Sequence, residues 1–323
     1  KDAWKTVYFA KVPVIDLTVQ HLEGWVRDER ARGISESTIR NCLFVLRALY
    51  KHAQKKWKWQ IDDPTIEVLS DVGTSNLRDR RLSTQEYQQL SAVFALLRRR
   101  QLGADSTLTV DPSARITIKR SEIVQDGYPD RKIELPYHSS LLYISAAFET
   151  AIEAAMRRGR MFEMRWRWLD WNARMIVIPP EFQGPANKKV SAKLPMSPTL
   201  VRTLKQLNGE NDDGSITCRV GDEANQSVFG PLISDRAYRL LRIACDLLYI
   251  EDLHWHDLRH EACSRLAEMG WTIQQIQVVS GHRTLQSLQR YMHIRPESIH
   301  RLWKEPEQDQ AAYVDAGRKL TSF

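Results

Sequence analysis

Four short pieces of the chain carry side chains able to do chemistry together. His256 and Arg259 stand three apart in His256-Asp257-Leu258-Arg259-His260. Gly281-His282 follows an apolar helical stretch, and Tyr291 comes nine residues beyond His282. Arg157, in Ala155-Met156-Arg157-Arg158-Gly159, lies about a hundred residues upstream. Each piece alone is ordinary. A His-x-x-Arg pair usually makes a charged surface, Gly-His is a common helix end followed by a chance histidine, and a tyrosine at helical spacing is usually core. As a set, these residue types suit cleavage of a phosphodiester without a metal. That group is anionic and repels nucleophiles. Breaking it takes fixed cations on the non-bridging oxygens, a nucleophile, and a proton for the leaving oxygen. Guanidiniums give permanent bidentate charge where an ammonium gives a point charge. A phenol with an ordinary pKa of about 10 needs a neighbouring base. Imidazoles can serve as that base or donate to the phosphate.

The elements that must position these groups are mostly helical. The chain has 323 residues, 42% of them hydrophobic, enough for two domains with a core in each. A formal net charge of +7 favours an anionic partner. No stretch approaches the roughly 20 apolar residues of a membrane helix. KDAWKTVYFAKVPV lacks an apolar leader core, so a cytoplasmic protein is expected; the absence of a starting Met leaves room for a segment ahead of Lys1. The four cysteines, Cys42, Cys218, Cys245 and Cys263, show no Cys-x-x-Cys pair and read as free thiols.

Residues 1–70 are expected as a small helical domain. Leu17, Leu22, Trp25 and Val26 form one apolar face, and Ser35 caps a second helix bearing Ile39, Leu43, Leu46, Leu49, Tyr50 and Ala53. The other face of that helix carries Arg40, Arg47 and Lys51, followed by Lys55 and Lys56. Residues 71–82 read as a basic linker with Arg78, Arg80 and Arg81. A second domain is expected over 83–323. Within it, 103–140 breaks the helical pattern, with TLTV and ARITIKR alternating as strands would, and reads as an insertion of two strands or a mobile excursion. Met175–Ile178 and Lys193–Met196 predict a strand, turn and strand.

HDLRHEACSRLAEMGWTIQQIQVVSGHRTLQSLQRYMHI resembles, along its whole length, the C-terminal signature of the tyrosine recombinases, the phage integrase family. ETAIEAAMRRGRMFEMRWRWLDW is similar to the segment bearing that family's first active-site arginine, and SESTIRNCLFVLRALYKHAQKKWKWQIDDPT to its helical core-binding domain. RDRRLSTQEYQQLS and IEDLHWHDLRHEACSR look closest to the shufflon-type DNA invertases.

The resemblance implies a mainly α fold with a small β-sheet. In it a helical core-binding domain and an α/β-hairpin catalytic domain form a two-domain clamp. It implies site-specific recombination of double-stranded DNA at specific sites by a homotetramer, with no metal or nucleotide cofactor. Arg157 and Arg259 would hold the phosphate, His256 would act as base or phosphate partner, and His282 would be a second donor. Tyr291 would form a 3′-phosphotyrosyl link. The family also carries a proton-donating lysine in the β-hairpin turn, which a hairpin shortened by one residue makes Lys188, with Lys189 the neighbour in contention. Arg160 stands where relatives usually have an acidic residue; a competing register, Arg160 with Glu163, would restore an Arg-x-x-Glu pair, while the eight-residue spacing from Arg157 to Arg165-Trp166 matches the family better and favours Arg157. Arg40, Arg47, Lys51, Arg78, Arg80 and Arg81 are the expected DNA contacts. A type IB topoisomerase-like relaxer and an inactive DNA-binding factor on the same scaffold are the alternatives.

Overall fold

The computed structural model describes residues 11–73, 80–105, 115–183, 192–209, 222–282, 284–289 and 294. Contacts divide the chain into two compact units, Lys1–Arg78 and Asp79–Phe323.

The first unit is three helices: α1 (Val19–Ala31), α2 (Glu36–His52) and α3 (Thr65–Asp71). Thr18 caps α1 and Ser35 caps α2, each hydroxyl accepting a backbone N–H of the first turn. Leu22, Trp25 and Val26 of α1 meet Ile39, Leu43 and Tyr50 of α2 and Val68 and Leu69 of α3 in one buried cluster. Each such side chain contributes about 1.5–3 kcal/mol when fully buried. The Tyr50 hydroxyl donates to the Val14 carbonyl at 2.7 Å, which ties the entry segment down. Leu49, expected on the apolar face, is instead exposed. It lies one position off the stripe that Ile39, Leu43 and Tyr50 define.

The second unit is mainly helical. Its helices are α4 (Thr84–Asp105), α5 (Ile144–Glu153), α6 (Arg158–Phe162), α7 (Pro198–Asn208), α8 (Ser234–Leu248), α9 (Trp255–Glu268), α10 (Ile273–Ser280) and α11 (Leu285–Gln289). β1 (Arg115–Lys119) pairs antiparallel with β2 (Lys132–Pro136). A second antiparallel sheet has the order β3 (Leu169–Asp170), β4 (Met175–Val177), β5 (Lys193–Pro195). Its last two strands are the expected strands and pair with each other, with Ile176 opposite Leu194; the residues expected as the turn, 184–191, lie outside the described ones.

The stretch expected as an insertion is built into the core. Ile116, Ile118 and Ile133 of the β1–β2 hairpin are buried in the same cluster as Phe94 of α4 and Phe148 of α5. ARITIKR forms β1 as expected, but its partner is KIELP, and TLTV lies outside the described residues. KIELP escapes a strand reading because Pro136 ends it and only Ile133 and Leu135 alternate. The loop that follows β1 is pinned by stacking: Arg120 lies 5.3 Å from the ring centres of both Tyr128 and Tyr249, and Arg131 lies 3.7 Å from that of Tyr249.

Candidate active site

Helix α9 carries two of the expected residues, and its start is set by local chemistry. Asp257 accepts the His254 backbone N–H at 2.8 Å, closing the first turn. This buried carboxylate also suits the positive end of the helix dipole. His256 and Arg259, three apart, therefore emerge on one side of the helix. His256 is exposed and stands edge-on to His260, ring centres 5.2 Å apart; Arg259 is buried.

Among the described residues, the Arg259 guanidinium meets the turn after α5 and His282. Its Nη1 donates to the carbonyl of Ala155. That residue sits between α5 and α6 at φ +50°, a left-handed conformation that costs a non-glycine residue about 1–2 kcal/mol. Two residues later, Arg157 is the exposed residue at the start of α6. The strained turn thus links the backbone beside Arg157 directly to Arg259.

His282 also meets this guanidinium, with Arg259 Nη2 2.8 Å from Nε2 and 3.3 Å from Nδ1, against the face of the ring. Helix α10 delivers it. Gly281 closes that helix at φ +65°, where its N–H bonds the Gln277 carbonyl, and the chain turns so that His282 comes back against α9. Burial first, and then the guanidiniums of Arg259 and Arg157, push the His282 pKa down to about 3. His256 is lowered as well, by partial burial of its ring and next by Arg259. Burial and the nearby guanidiniums thus favour the neutral form of both imidazoles.

Met156, Arg157, Arg160, Ile178, Leu194, Arg259, Ser280 and Gly281 line a small open pocket. Ile178 follows β4 and Leu194 lies in β5, so the small sheet forms one wall. Lys188 and Lys189, between those strands, lie outside the described residues. Tyr291 lies outside them too. Leu288, three residues earlier, is fully buried against Ala155, Ala262, Cys263, Ala267 and Ile276. The chain is thereby anchored to the Ala155 turn and to α9 just ahead of the phenol.

Glu163 bonds Arg160 at 2.5 Å across i, i+3. The carboxylate one turn along is therefore engaged with the arginine that occupies the usual acidic position. This pair is half exposed and so is worth little stability.

The expected DNA contacts separate. Arg40 donates to the carbonyls of Leu69 at 2.8 Å and Val72 at 2.5 Å, so it satisfies the end of α3. Arg80 bonds Glu86 at 2.5 Å. Arg81, its side chain 9% exposed, bonds Glu261 at 3.0 Å and also Glu268. In the DNA-free fold these three guanidiniums bond carbonyls or carboxylates of the chain itself. Arg47 lies 4.0 Å from Asp63 and is half-buried. Lys51 is exposed, and Arg78 lies outside the described residues. A patch the expected set left out continues from Lys51. Trp57 and Trp59 are exposed with ring centres 4.9 Å apart, His52 meets Trp57 at 5.2 Å, and Lys55, Lys56 and Lys58, their neighbours in sequence, are exposed as well. The signal for it is the Lys-Lys-Trp-Lys-Trp run.

The phage integrase family matches residues 133–298, just over half of the chain, and the chain belongs to that family. A shufflon-specific DNA recombinase of Escherichia coli is 27% identical over 271 residues, 84% of this chain. The chain spans 54% of that relative's length. Among solved structures, the Tn1549 transposon integrase in complex with circular intermediate DNA aligns over 94% of this chain and 90% of that one, at TM-score 0.60 and 13% identity. A lambda integrase, solved as a tetramer bound to a Holliday junction, aligns over 88% of this chain and 67% of that one, at TM-score 0.52 and 15% identity. Their fold is the fold of this chain, and the mainly helical tyrosine-recombinase architecture stands.

Proposed function

We propose that this protein is a site-specific DNA recombinase that cleaves and rejoins duplex DNA through a phosphotyrosyl intermediate. The observation that carries the reading is the cationic site in which Arg157, Arg259 and His282 converge beside His256, with the chain anchored by Leu288 just before Tyr291. Two guanidiniums would grip the non-bridging oxygens of the scissile phosphate, whose charge spreads as the bond breaks. His256, neutral and at the rim, would take the Tyr291 proton, and the phenolate would attack phosphorus. Lys188 would protonate the departing 5′-oxygen. The phosphotyrosyl bond conserves the energy of the broken linkage, so rejoining to a new strand needs no nucleotide.

Strand exchange between two duplexes takes four cleavages, so we read the working form as a homotetramer on DNA. The first unit is read as the core-binding domain and the second as the catalytic one. No helix among the described residues is long and apolar enough to cross a membrane. We place the protein in the cytoplasm, where its substrate is.

A DNA duplex nicked just past the cleavage point loses its short fragment and traps the covalent complex. The wild-type protein should form an adduct on it, and peptide mapping should place the link on Tyr291. Firm binding with no adduct would instead indicate a DNA-binding factor. Relaxation of supercoiled DNA lacking paired sites would indicate a topoisomerase.

Lys51, Lys55, Lys56 and Lys58, with the two indoles, are read as the DNA contact of the first unit. Changing Lys55, Lys56 and Lys58 to alanine should reduce the steepness of log affinity against log salt by about 0.9 for each phosphate no longer neutralised. Changing Trp57 and Trp59 to alanine should weaken binding with that slope unchanged. Titrations by fluorescence anisotropy across salt concentrations check both; unaltered binding in the two variants would remove the patch from the interface.

A further inference from the structure

We propose that Arg81 is a positioning residue for DNA cleavage: it grips the back of α9 and so fixes the helix whose other side presents His256 and Arg259. The proposal rests on the recombinase reading for its purpose, while the grip itself is a property of the second unit.

Glu261, Arg265 and Glu268 share one stripe of α9, roughly half a turn round from Arg259. Arg81 bridges the two carboxylates of that stripe. Its Nε and Nη2 donate to Glu261 at 3.0 and 3.1 Å, and its Nη1 and Nη2 donate to Glu268, the second at 3.3 Å. None of these three side chains is more than 9% exposed. Arg265 Nε donates to Glu261 at 2.9 Å, and the Arg265 guanidinium lies 5.0 Å from the ring centre of Tyr87 in α4. The residues on either side of Arg81 are fixed as well. Arg80 bonds Glu86 at 2.5 Å and the Glu251 carbonyl at 3.3 Å, just ahead of α9. Leu82 is fully buried, and Ser83 and Glu86 close a capping box that starts α4. Residues 80–83 thus strap α9 from before its first turn to its last residue, Glu268.

Buried carboxylates on one helix face need a cation, yet a buried ion pair adds little net stability over apolar packing of the same shape. What the forked guanidinium adds is register. It meets both carboxylates at one rotation and one height of α9, which the single ammonium of a lysine does not define. Away from the stripe, Ala262, Cys263 and Ala267 of α9 pack with Ala155, Ile276 and Leu288, beside the bond from Arg259 to the Ala155 carbonyl. Rotation or lift of α9 would therefore move His256 and Arg259 relative to the Ala155 turn and Arg157. A displacement of about 1 Å in a catalytic group is enough to cost about 10²-fold in rate.

The test compares the wild type with Arg81→Ala and with a variant that removes the three charges together, Arg81→Met with Glu261→Gln and Glu268→Gln. Rates are taken on the nicked duplex at saturating DNA, below the melting temperature of the weakest variant. Both variants should form adduct about 10–10²-fold more slowly than the wild type, with DNA affinity and its salt dependence unchanged. The neutralised variant should melt close to the wild type and stay slow, whereas a purely stabilising role would return the rate along with the melting temperature. Hydrogen exchange reads the grip without the reaction: in the neutralised variant the amides of α9 should exchange several-fold faster, with those of α2 unchanged. A wild-type rate or wild-type α9 exchange in that variant overturns the proposal. So does a loss of affinity with a shallower salt dependence in Arg81→Ala, which would make Arg81 a phosphate contact. Failure of the wild type to form any adduct would count against the recombinase reading, while the exchange would still decide the grip.

Discussion

Arg259→Ala is expected to slow covalent complex formation by about 10²–10³, the usual effect of removing one preorganised donor from a charge-stabilising site. The geometry supports the upper end. Arg259 is buried, and besides a future phosphate it bonds the Ala155 carbonyl and packs against the His282 ring. Alanine removes both contacts and the cation that depresses both histidines. Arg259→Lys keeps the charge but not the planar fork, so it should recover only part of the rate. Single-turnover adduct formation on the nicked duplex measures the effect, with thermal melting as the check on folding. A well-folded Arg259→Ala protein within a few-fold of the wild-type rate would take this residue out of the site.

The second large effect separates two neighbours. Arg157→Ala should cost about 10²–10³ in the same assay, whereas Arg160→Ala should cost less than about tenfold. Arg157 adds its field to both histidines and follows the strained Ala155 turn that Arg259 grips. Arg160 reaches the pocket but is neutralised by Glu163 at 2.5 Å. The reverse ranking, with Arg160→Ala crippling and Arg157→Ala mild, would mean that the first phosphate-binding arginine has been misplaced by one helical turn.

Much of the site is legible because its spacing is local. His256, Arg259 and His282 belong to two consecutive helices whose starts and stops are written in Asp257 and Gly281. What stays hidden depends on partners far off in sequence. Arg80 and Arg81 look like a basic linker until Glu86, Glu261 and Glu268 fold against them. Arg40 sits on the right face of α2 for DNA, yet carbonyls about 30 residues away claim it. The β1–β2 hairpin reads as an excursion because Ile116, Ile118 and Ile133 bury against helices that the strand pattern cannot name.

The gathering of guanidiniums around two neutral imidazoles carries a cost for the molecule as a whole. The described residues lining the pocket include Arg157, Arg160 and Arg259 but no carboxylate, and a left-handed alanine beside it adds strain. Part of the fold's stability is thus given up to keep a receptor for an anion ready. The same arrangement makes the second unit sensitive to acid. As pH falls below about 6.5 the unfolded chain takes up a proton on His282, while the folded site resists until about pH 3, so protons pull toward unfolding across that interval. A bound phosphate reverses the balance by giving the cations an anionic partner. Changes that quiet this pocket would therefore make a sturdier protein and a poorer catalyst, a trade that belongs to the site's electrostatics more than to its packing.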